Sequence, residues 1–257
     1  LALKSLKLKK KSGVIMPSIN FISAYNLCRL LDFKIFFTDV NSLTGQTTPE
    51  NIIKCIKTNN LRKIDLLFTM HLGGYPENLE RFFLLKKKYN FKIIEDASHS
   101  LGAKFKGENV GNCKWSDITV FSFHPVKIIT TAEGGLATTN QSNLAERMNL
   151  FRTHGITKDK NLFDIQSEGP WYYEQHELGY NYRLTDLQAA LGISQLKRIH
   201  RFIKKRHILR EGYEKLIKSE DILLPKQDKN CYSALHLYPI QLRLEALTLS
   251  KKEIFES

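Results

Sequence analysis

The sequence lacks any apolar run long enough to span a bilayer. Lys, Arg, Asp or Glu interrupts each hydrophobic stretch well short of about 20 residues, so no transmembrane helix is expected. Cysteine is scarce. The four, at positions 28, 55, 113 and 231, form no Cys-x-x-Cys pair, which removes the common zinc and redox spacings. In 257 residues they read as isolated reduced thiols of a cytoplasmic protein, not as a disulfide frame. Low-complexity tracts and internal repeats are absent as well, and an apolar share of 42% is ordinary for a globular chain. The chain opens on Leu1, and the basic, amphipathic stretch to Lys11 has no cleavage-site pattern after it. It is read as the interior of a longer protein and not as a targeting signal.

Acidic residues are outnumbered, 26 against 39 Lys and Arg, for a net charge of +13. Such a balance suits nucleic acid, an anionic membrane surface or small anionic ligands. The lysines are scattered, in groups such as Lys7 to Lys11, Lys86 to Lys88 and Lys197 to Arg206. The last two groups fall on helix-like segments, where charge commonly marks a solvated face. No recurrent aromatic–basic motif accompanies them. Neither nucleic acid nor membrane is therefore the expected partner. A basic nucleic-acid-binding or regulatory α/β protein stands as the second reading, distinguished by salt-sensitive DNA retention.

Hydrophobic patterning alternates between short strands and helices. Strands are expected at Val14 to Pro17, Lys34 to Val40, Leu66 to Met70, Lys92 to Glu95, Ile118 to Phe123 and Gly135 to Thr139. Helical spacing appears at Ser23 to Leu31, Pro49 to Thr58, Leu79 to Tyr89 and Leu144 to Phe151. This order predicts an α/β fold with a mostly parallel, buried central sheet flanked by helices. Gly155 to Tyr173 is irregular. Thr185 to Leu216 predicts one or two long helices, with Thr185-Asp186 as the cap. Leu235 to Leu242 reads as a strand, and Ser250 to Ser257 as the start of a helix. The expected division is a large domain over 1–215 and the beginning of a smaller C-terminal α/β domain over 216–257.

Two segments carry chemistry. Phe91-Lys92-Ile93-Ile94-Glu95-Asp96-Ala97-Ser98-His99-Ser100 ends a buried strand in a carboxylate, and Phe121-Ser122-Phe123-His124-Pro125-Val126-Lys127 hedges a lysine with small and apolar residues. In open α/β sheets, ligands bind at the carboxyl ends of strands, which would bring Asp96, Ser122 and Lys127 to one rim. A buried lysine loses its proton readily and becomes a nucleophile. Such a lysine, with an aspartate to keep a ring nitrogen protonated, is the pair that pyridoxal phosphate requires.

The run from Glu95 to Asn140 resembles the sugar-nucleotide aminotransferases of the DegT/DnrJ/EryC1/StrS family, pyridoxal-phosphate enzymes of fold type I. Gly179-Tyr180-Asn181-Tyr182-Arg183-Leu184-Thr185-Asp186-Leu187-Gln188-Ala189-Ala190-Leu191-Gly192 is similar to a second signature of that family, and Val14 to Phe21 more loosely to a third. Ser122 to Lys127 and Glu168-Gly169-Pro170-Trp171-Tyr172-Tyr173-Glu174-Gln175 are similar to the branch that aminates C4 of a UDP-4-keto-6-deoxy-N-acetylhexosamine in pseudaminic acid biosynthesis.

That resemblance implies a role for each of several residues. Lys127 would be the catalytic lysine and proton shuttle, and Asp96 the partner of the ring nitrogen. His99 would contact the cofactor's phenolic oxygen or ring, and Ser122 its phosphate. Asn181 would reach the phosphate of the neighbouring subunit's cofactor, which implies a homodimer with shared active sites. Phe21 would stack on the ring, with a core aromatic as the competing role. Arg183 would meet a diphosphate or the donor's carboxylate, or else form a structural ion pair. Tyr172 would line a sugar or uracil pocket, or else pack its loop onto the core. Glutamate is the implied amino donor. No metal is implied. The family's Gly/Ser/Thr-rich phosphate turn would lie before Leu1, and the rest of the C-terminal domain after Ser257. A non-catalytic member of the family stands as an alternative. The dehydrating branch replaces the lysine, and Lys127 argues against it.

Overall fold

The computed structural model describes residues 1–226 and 228–256. Apolar residues with period 2 build its central sheet: Val14 and Met16 face one side and Ile15 the other. The elements run α1 (Ala2–Ser5), β1 (Gly13–Pro17), α2 (Ile22–Leu30), β2 (Lys34–Thr38), α3 (Pro49–Thr58), β3 (Leu66–Met70), α4 (Leu79–Tyr89) and β4 (Lys92–Asp96). A two-residue hairpin follows, β5 (Lys104–Phe105) and β6 (Glu108–Asn109), then β7 (Ile118–Ser122), β8 (Gly135–Thr138) and α5 (Ser142–Arg152). The sheet order is β2-β1-β3-β4-β7-β8. Its first five strands are parallel, while β8 returns antiparallel to β7. The α/β class and the mostly parallel sheet expected from the sequence are thus present.

Each face of the sheet has its own core. Val14, Met16, Leu66, Phe68, Ile94 and Ile118 pack with Leu144 and Met148 of α5 and with α2. Ile15, Leu67 and Ile93 pack with Ile52 of α3 and Phe82 and Leu85 of α4. Each such buried side chain contributes roughly 1.5–3 kcal/mol, so the two layers pin the register of every central strand. That register sets Asp96 opposite Met70 on one side and Val120 on the other.

Two further helices follow, α6 (Asp186–Leu196) and the longer α7 (Ile199–Leu216). Thr185 caps α6 through a reciprocal capping box with Gln188. Ile199 and Ile203 of α7 are buried against Ile128 and Ile129, while Arg201, Lys204, Lys205 and Lys215 are exposed and Arg206 turns inward to the carbonyls of Leu235 and His236. Beyond α7 the sequence expectation needs correction. Leu235 to Leu242 is not a continuous strand; only Gln241–Leu242 pairs, antiparallel to Ile222–Leu223. Leu235 is buried with φ 51. Backbone hydrogen bonds from Ala234 and Leu237 go to Gly74 and Gly73, so the segment follows a turn of the large unit and not a neighbouring strand. The expected terminal helix is present over Lys251–Glu256, and Ser257 lies outside the described residues.

Candidate active site

The carboxyl ends of β3, β4 and β7 lie side by side, because three parallel strands in register must end together. Asp96 is the last residue of β4 and is buried, with Oδ1 accepting the Ser98 N–H at 3.0 Å. Ser122 is the last residue of β7; its half-buried Oγ accepts the His124 N–H at 3.3 Å. Lys127 follows on the loop between β7 and β8, with its own N–H donated to His124 O at 2.9 Å. Burial lowers the Lys127 pKa, and the charge of Asp96 acts in the opposite direction. The lysine and the aspartate thus lie near enough for the charge of one to act on the other.

The lysine loop is held from three sides. Phe123 O accepts both the Thr131 N–H at 3.0 Å and the Thr130 hydroxyl at 2.9 Å. Ile128 and Ile129 sink into the cluster made with Ala103, Ile199 and Ile203. From α6, Gln195 Oε1 accepts the Thr130 N–H at 3.1 Å and Gln188 Nε2 donates to Glu133 O at 2.9 Å. A Cβ on Gly192 would lie 2.8 Å from Thr131 Cγ2, so α6 needs a glycine there to lie this close to the loop. The motif from Gly179 to Gly192 thus serves in part to clamp the lysine loop.

Three histidines complete the group. His71 follows β3, is fully buried, and shares a 2.8 Å hydrogen bond between Nδ1 and Ser100 Oγ. The ring of His99 lies against that of His236, with centroids 4.4 Å apart. Burial is the leading cause that pushes all three pKa values down, to about 3, 3 and 4 respectively; the Lys127 charge adds to the effect on His99 and His236. All three are therefore neutral near pH 7. His71 Nε2, His99 Nδ1 and His236 Nδ1 are buried without a hydrogen-bond partner among the described residues. Leaving such a group unpaired costs about 1–3 kcal/mol. A half-buried amine, a buried carboxylate and unpaired neutral donors or acceptors fit a polar aromatic ligand with hydrogen-bonding substituents.

Other expected residues are placed elsewhere. Phe21 caps α2 at its N-terminus and is 67% exposed, which rules out the core-aromatic role and leaves its ring open to contact. Asn181 bridges to Thr153, and its Oδ1 accepts from Arg183 Nε at 2.9 Å, with both side chains exposed. Among the described residues, Arg183 forms no ion pair. Tyr172 donates its hydroxyl to Glu174 Oε1 at 3.0 Å. Glu174 also accepts the N–H groups of Asp164 and Ile165 and contacts His176 Nε2 at 2.7 Å, so Tyr172 belongs to a local knot within the irregular segment. Among the described residues, no hydrogen bond links Asn181, Arg183 or Tyr172 to Asp96 or Lys127.

A family model described as DegT/DnrJ/EryC1/StrS aminotransferase matches residues 1–257. The chain belongs to this family. A UDP-4-amino-4,6-dideoxy-N-acetyl-beta-L-altrosamine transaminase of Campylobacter jejuni is 35% identical over 258 aligned positions, covering 100% of this chain and 65% of the relative. The aminotransferase of Psychrobacter cryohalolentis, a solved structure, superposes with a TM-score of 0.88 at 26% identity, covering 99% of this chain and 66% of the other. Helicobacter pylori PseC, an aminotransferase involved in the biosynthesis of pseudoaminic acid, gives a TM-score of 0.83 at 27% identity, covering 95% and 63%. The chain therefore spans about two thirds of the length of the relatives it matches.

DegT aminotransferases depend on pyridoxal phosphate, and the site of this DegT member has the groups that the cofactor needs. Lys127 is half-buried with its pKa lowered by burial, the charge of the buried Asp96 acts on it, and the Lys127 charge in turn acts on His99 and His236, each with an unpaired ring nitrogen. Two members of the group escaped sequence reasoning. His71 and His236 lie in no motif singled out there. The signal for His71 was available, since it directly follows β3 as Ala97 follows β4. For His236 no local signal existed, because its place depends on a turn more than 150 residues earlier.

Proposed function

We propose that this chain is the core of a cytoplasmic, pyridoxal-phosphate-dependent aminotransferase that moves an amino group from glutamate to C4 of a UDP-4-keto-6-deoxy-N-acetylhexosamine. The observation that carries this reading is the action of the Asp96 charge, at the carboxyl end of β4, on Lys127 in the loop that follows the adjacent parallel strand β7. The substrate class is supported by the 35% identity to the altrosamine transaminase.

When bound, the cofactor supplies an aldehyde for the amine and a ring that stores an electron pair. The protein supplies binding, orientation and proton control. Lys127 Nζ is the covalent anchor. Burial keeps a larger share of it neutral, which suits both nucleophilic attack and carrying a proton. Asp96 offers a buried negative charge for a ring nitrogen, and its Ser98 N–H bond fixes the carboxylate's orientation. Ser122 Oγ suits a phosphate oxygen, and His99 a phenolic oxygen. Phe21 presents an exposed ring for stacking. Arg183 suits a diphosphate or a donor carboxylate, because its guanidinium binds such groups through paired N–H bonds. Tyr172 would join the substrate pocket only if its knot opened toward Lys127.

A homodimer with shared sites forms part of this reading. No residue of α6 is buried, and Leu187, Leu191, Ile193 and Leu196 all lie exposed on it. An apolar helix left bare in this way is a surface that seeks a partner. Asn181 lies upstream of its cap, Thr185, where it would reach a neighbouring subunit's phosphate.

The decisive experiment incubates the protein with pyridoxal phosphate, glutamate and a panel of UDP- and dTDP-4-keto sugars, with the amino product identified by mass spectrometry. Conversion of the UDP-4-keto-6-deoxy-N-acetylhexosamine is expected. Cofactor uptake at Lys127 with no ketone consumed would point instead to the non-catalytic family member.

A further inference from the structure

The turn after β3 is built to receive a distant piece of chain. The backbone passes through Gly73 at φ 69 and Gly74 at φ 98, conformations that favour glycine. Gly74 O accepts the Ala234 N–H at 3.1 Å and the Ser233 hydroxyl at 2.9 Å, and Gly73 O accepts the Leu237 N–H at 3.2 Å. From α7, Arg206 Nη1 donates to the carbonyls of Leu235 at 3.0 Å and His236 at 3.3 Å. A Cβ on Gly74 would lie 2.6 Å from His99 O and 3.3 Å from His236 N, so bare backbone is what lets the segment approach the His99 loop. The outcome is a contact between two imidazoles, 4.4 Å between centroids and tilted by 41°.

We propose that His236 is a positioning residue of this site: its ring fixes the orientation of His99 beside Lys127, and through it the bond that His99 makes to the bound cofactor. This rests on the reading above, in which His99 contacts pyridoxal phosphate. His99 Nδ1 is buried and has no hydrogen-bond partner among the described residues. Ring packing is therefore what limits rotation of the imidazole. Six hydrogen bonds from the turn, α7 and the segment itself hold the backbone around His236 in place, which is a costly arrangement for a side chain with no task at the site.

The test has a cofactor-free arm and a cofactor arm. In protein with isotope-labelled histidine and no cofactor, the His99 ring resonance, assigned with H99Q, should shift and broaden in H236A and in H236Q but stay sharp in H236F, which keeps an aromatic ring. In titrations followed by the absorbance of bound pyridoxal phosphate, H236A should bind about tenfold more weakly, the loss expected for one aromatic contact, and H236F about as well as the unaltered protein. The double variant H236A/H99Q should bind no more weakly than H99Q alone. An unchanged His99 resonance in H236A and H236Q, or losses from H236A and H99Q that simply add, would overturn the proposal. If H236A fails to fold, the contrast between H236Q and H236F decides the question. Absence of any cofactor uptake by the unaltered protein would defeat the cofactor reading, while the resonance arm would still show whether His236 holds His99.

Discussion

Asp96 opposes what burial does to Lys127. Desolvation drives the lysine toward its neutral form, and the buried carboxylate at the end of the adjacent strand favours the cation. In D96N that opposition is gone, so the Lys127 pKa should fall further below its ordinary value. The asparagine carbonyl can still accept the Ser98 N–H, so the backbone around it should hold. The pH dependence of reductive methylation at Lys127, followed by NMR, should move to lower pH. Transamination should drop by roughly a hundred- to ten-thousandfold, the range for loss of proton control. An unmoved methylation profile would separate the two residues.

K127A should remove the covalent label that borohydride fixes between the protein and pyridoxal phosphate. Mass spectrometry of the digest would place the label on the peptide carrying residue 127 in the unaltered protein and nowhere in the variant. Because Lys127 is half-buried on a loop and outside the sheet core, stability should change little, by a degree or two in Tm. Undiminished labelling in K127A would assign the anchor to another amine.

Glu95, next to Asp96, faces the other side of the sheet and is fully buried. Burial raises its pKa to about 7 against the effect of the Thr119 hydroxyl, which donates to it at 3.0 Å. The unfolded chain gives up this proton near the ordinary carboxylate value, while the folded chain keeps it to about pH 7. Folding stability is thus lost as pH rises from the unfolded value to about 7 and stays low above that. E95Q keeps an acceptor for Thr119 and has no proton to lose. Its Tm should exceed that of the unaltered protein by a few degrees at pH 8, and the advantage should vanish near pH 4.5. Thermal melts across that range check the sign.

His71 acts on the acid side. Its folded pKa of about 3 lies below the unfolded value, so its contribution to stability is present above about pH 6.5 and is lost as pH falls toward 3. His99 and His236 act in the same sense, and Glu95 works against them between about pH 4.5 and 6.5. H71Q retains a group able to bond Ser100 but does not titrate. Its Tm should fall less steeply than that of the unaltered protein between pH 7 and 5, and E95Q should fall more steeply. Parallel melting curves for all three would contradict the burial argument.

The sheet was legible in the sequence because its information is local. Leu66 to Met70 is a short, mostly apolar run buried through both faces of the sheet, and Ile93-Ile94 anchors the next strand, which is buried from Ile93 to Asp96. Asp96, Ser122 and Lys127 were legible for the same reason, since strand ends in a parallel sheet share one rim. Beyond α7 the reading failed at Leu235. The segment there read as a strand, but Leu235 packs inward and His236 reaches the site, with the Ala234 and Leu237 N–H groups donated to the Gly74 and Gly73 carbonyls. Nothing within a window of a dozen residues encodes that contact. For Tyr172 the sequence left a pocket wall and loop packing open; in the structure its hydroxyl donates to Glu174.

The clamp from α6 onto the lysine loop offers a prediction that does not depend on the substrate. Gln195 Oε1 is the acceptor for the Thr130 N–H, and Thr130 in turn ties Phe123 O through its hydroxyl. Q195M has nearly the same size and removes the acceptor. A half-buried N–H left without a partner costs about 1 kcal/mol, which in a chain of this length is roughly 2–4 °C of Tm. The larger effect should be local. Amide exchange at Thr130 and Thr131 should accelerate several-fold in Q195M, while amides of β3 and β4 keep their protection, because the core layers around those strands are untouched. Uniform loss of protection across sheet and loop would mean that Gln195 supports the whole fold and not the loop that carries Lys127.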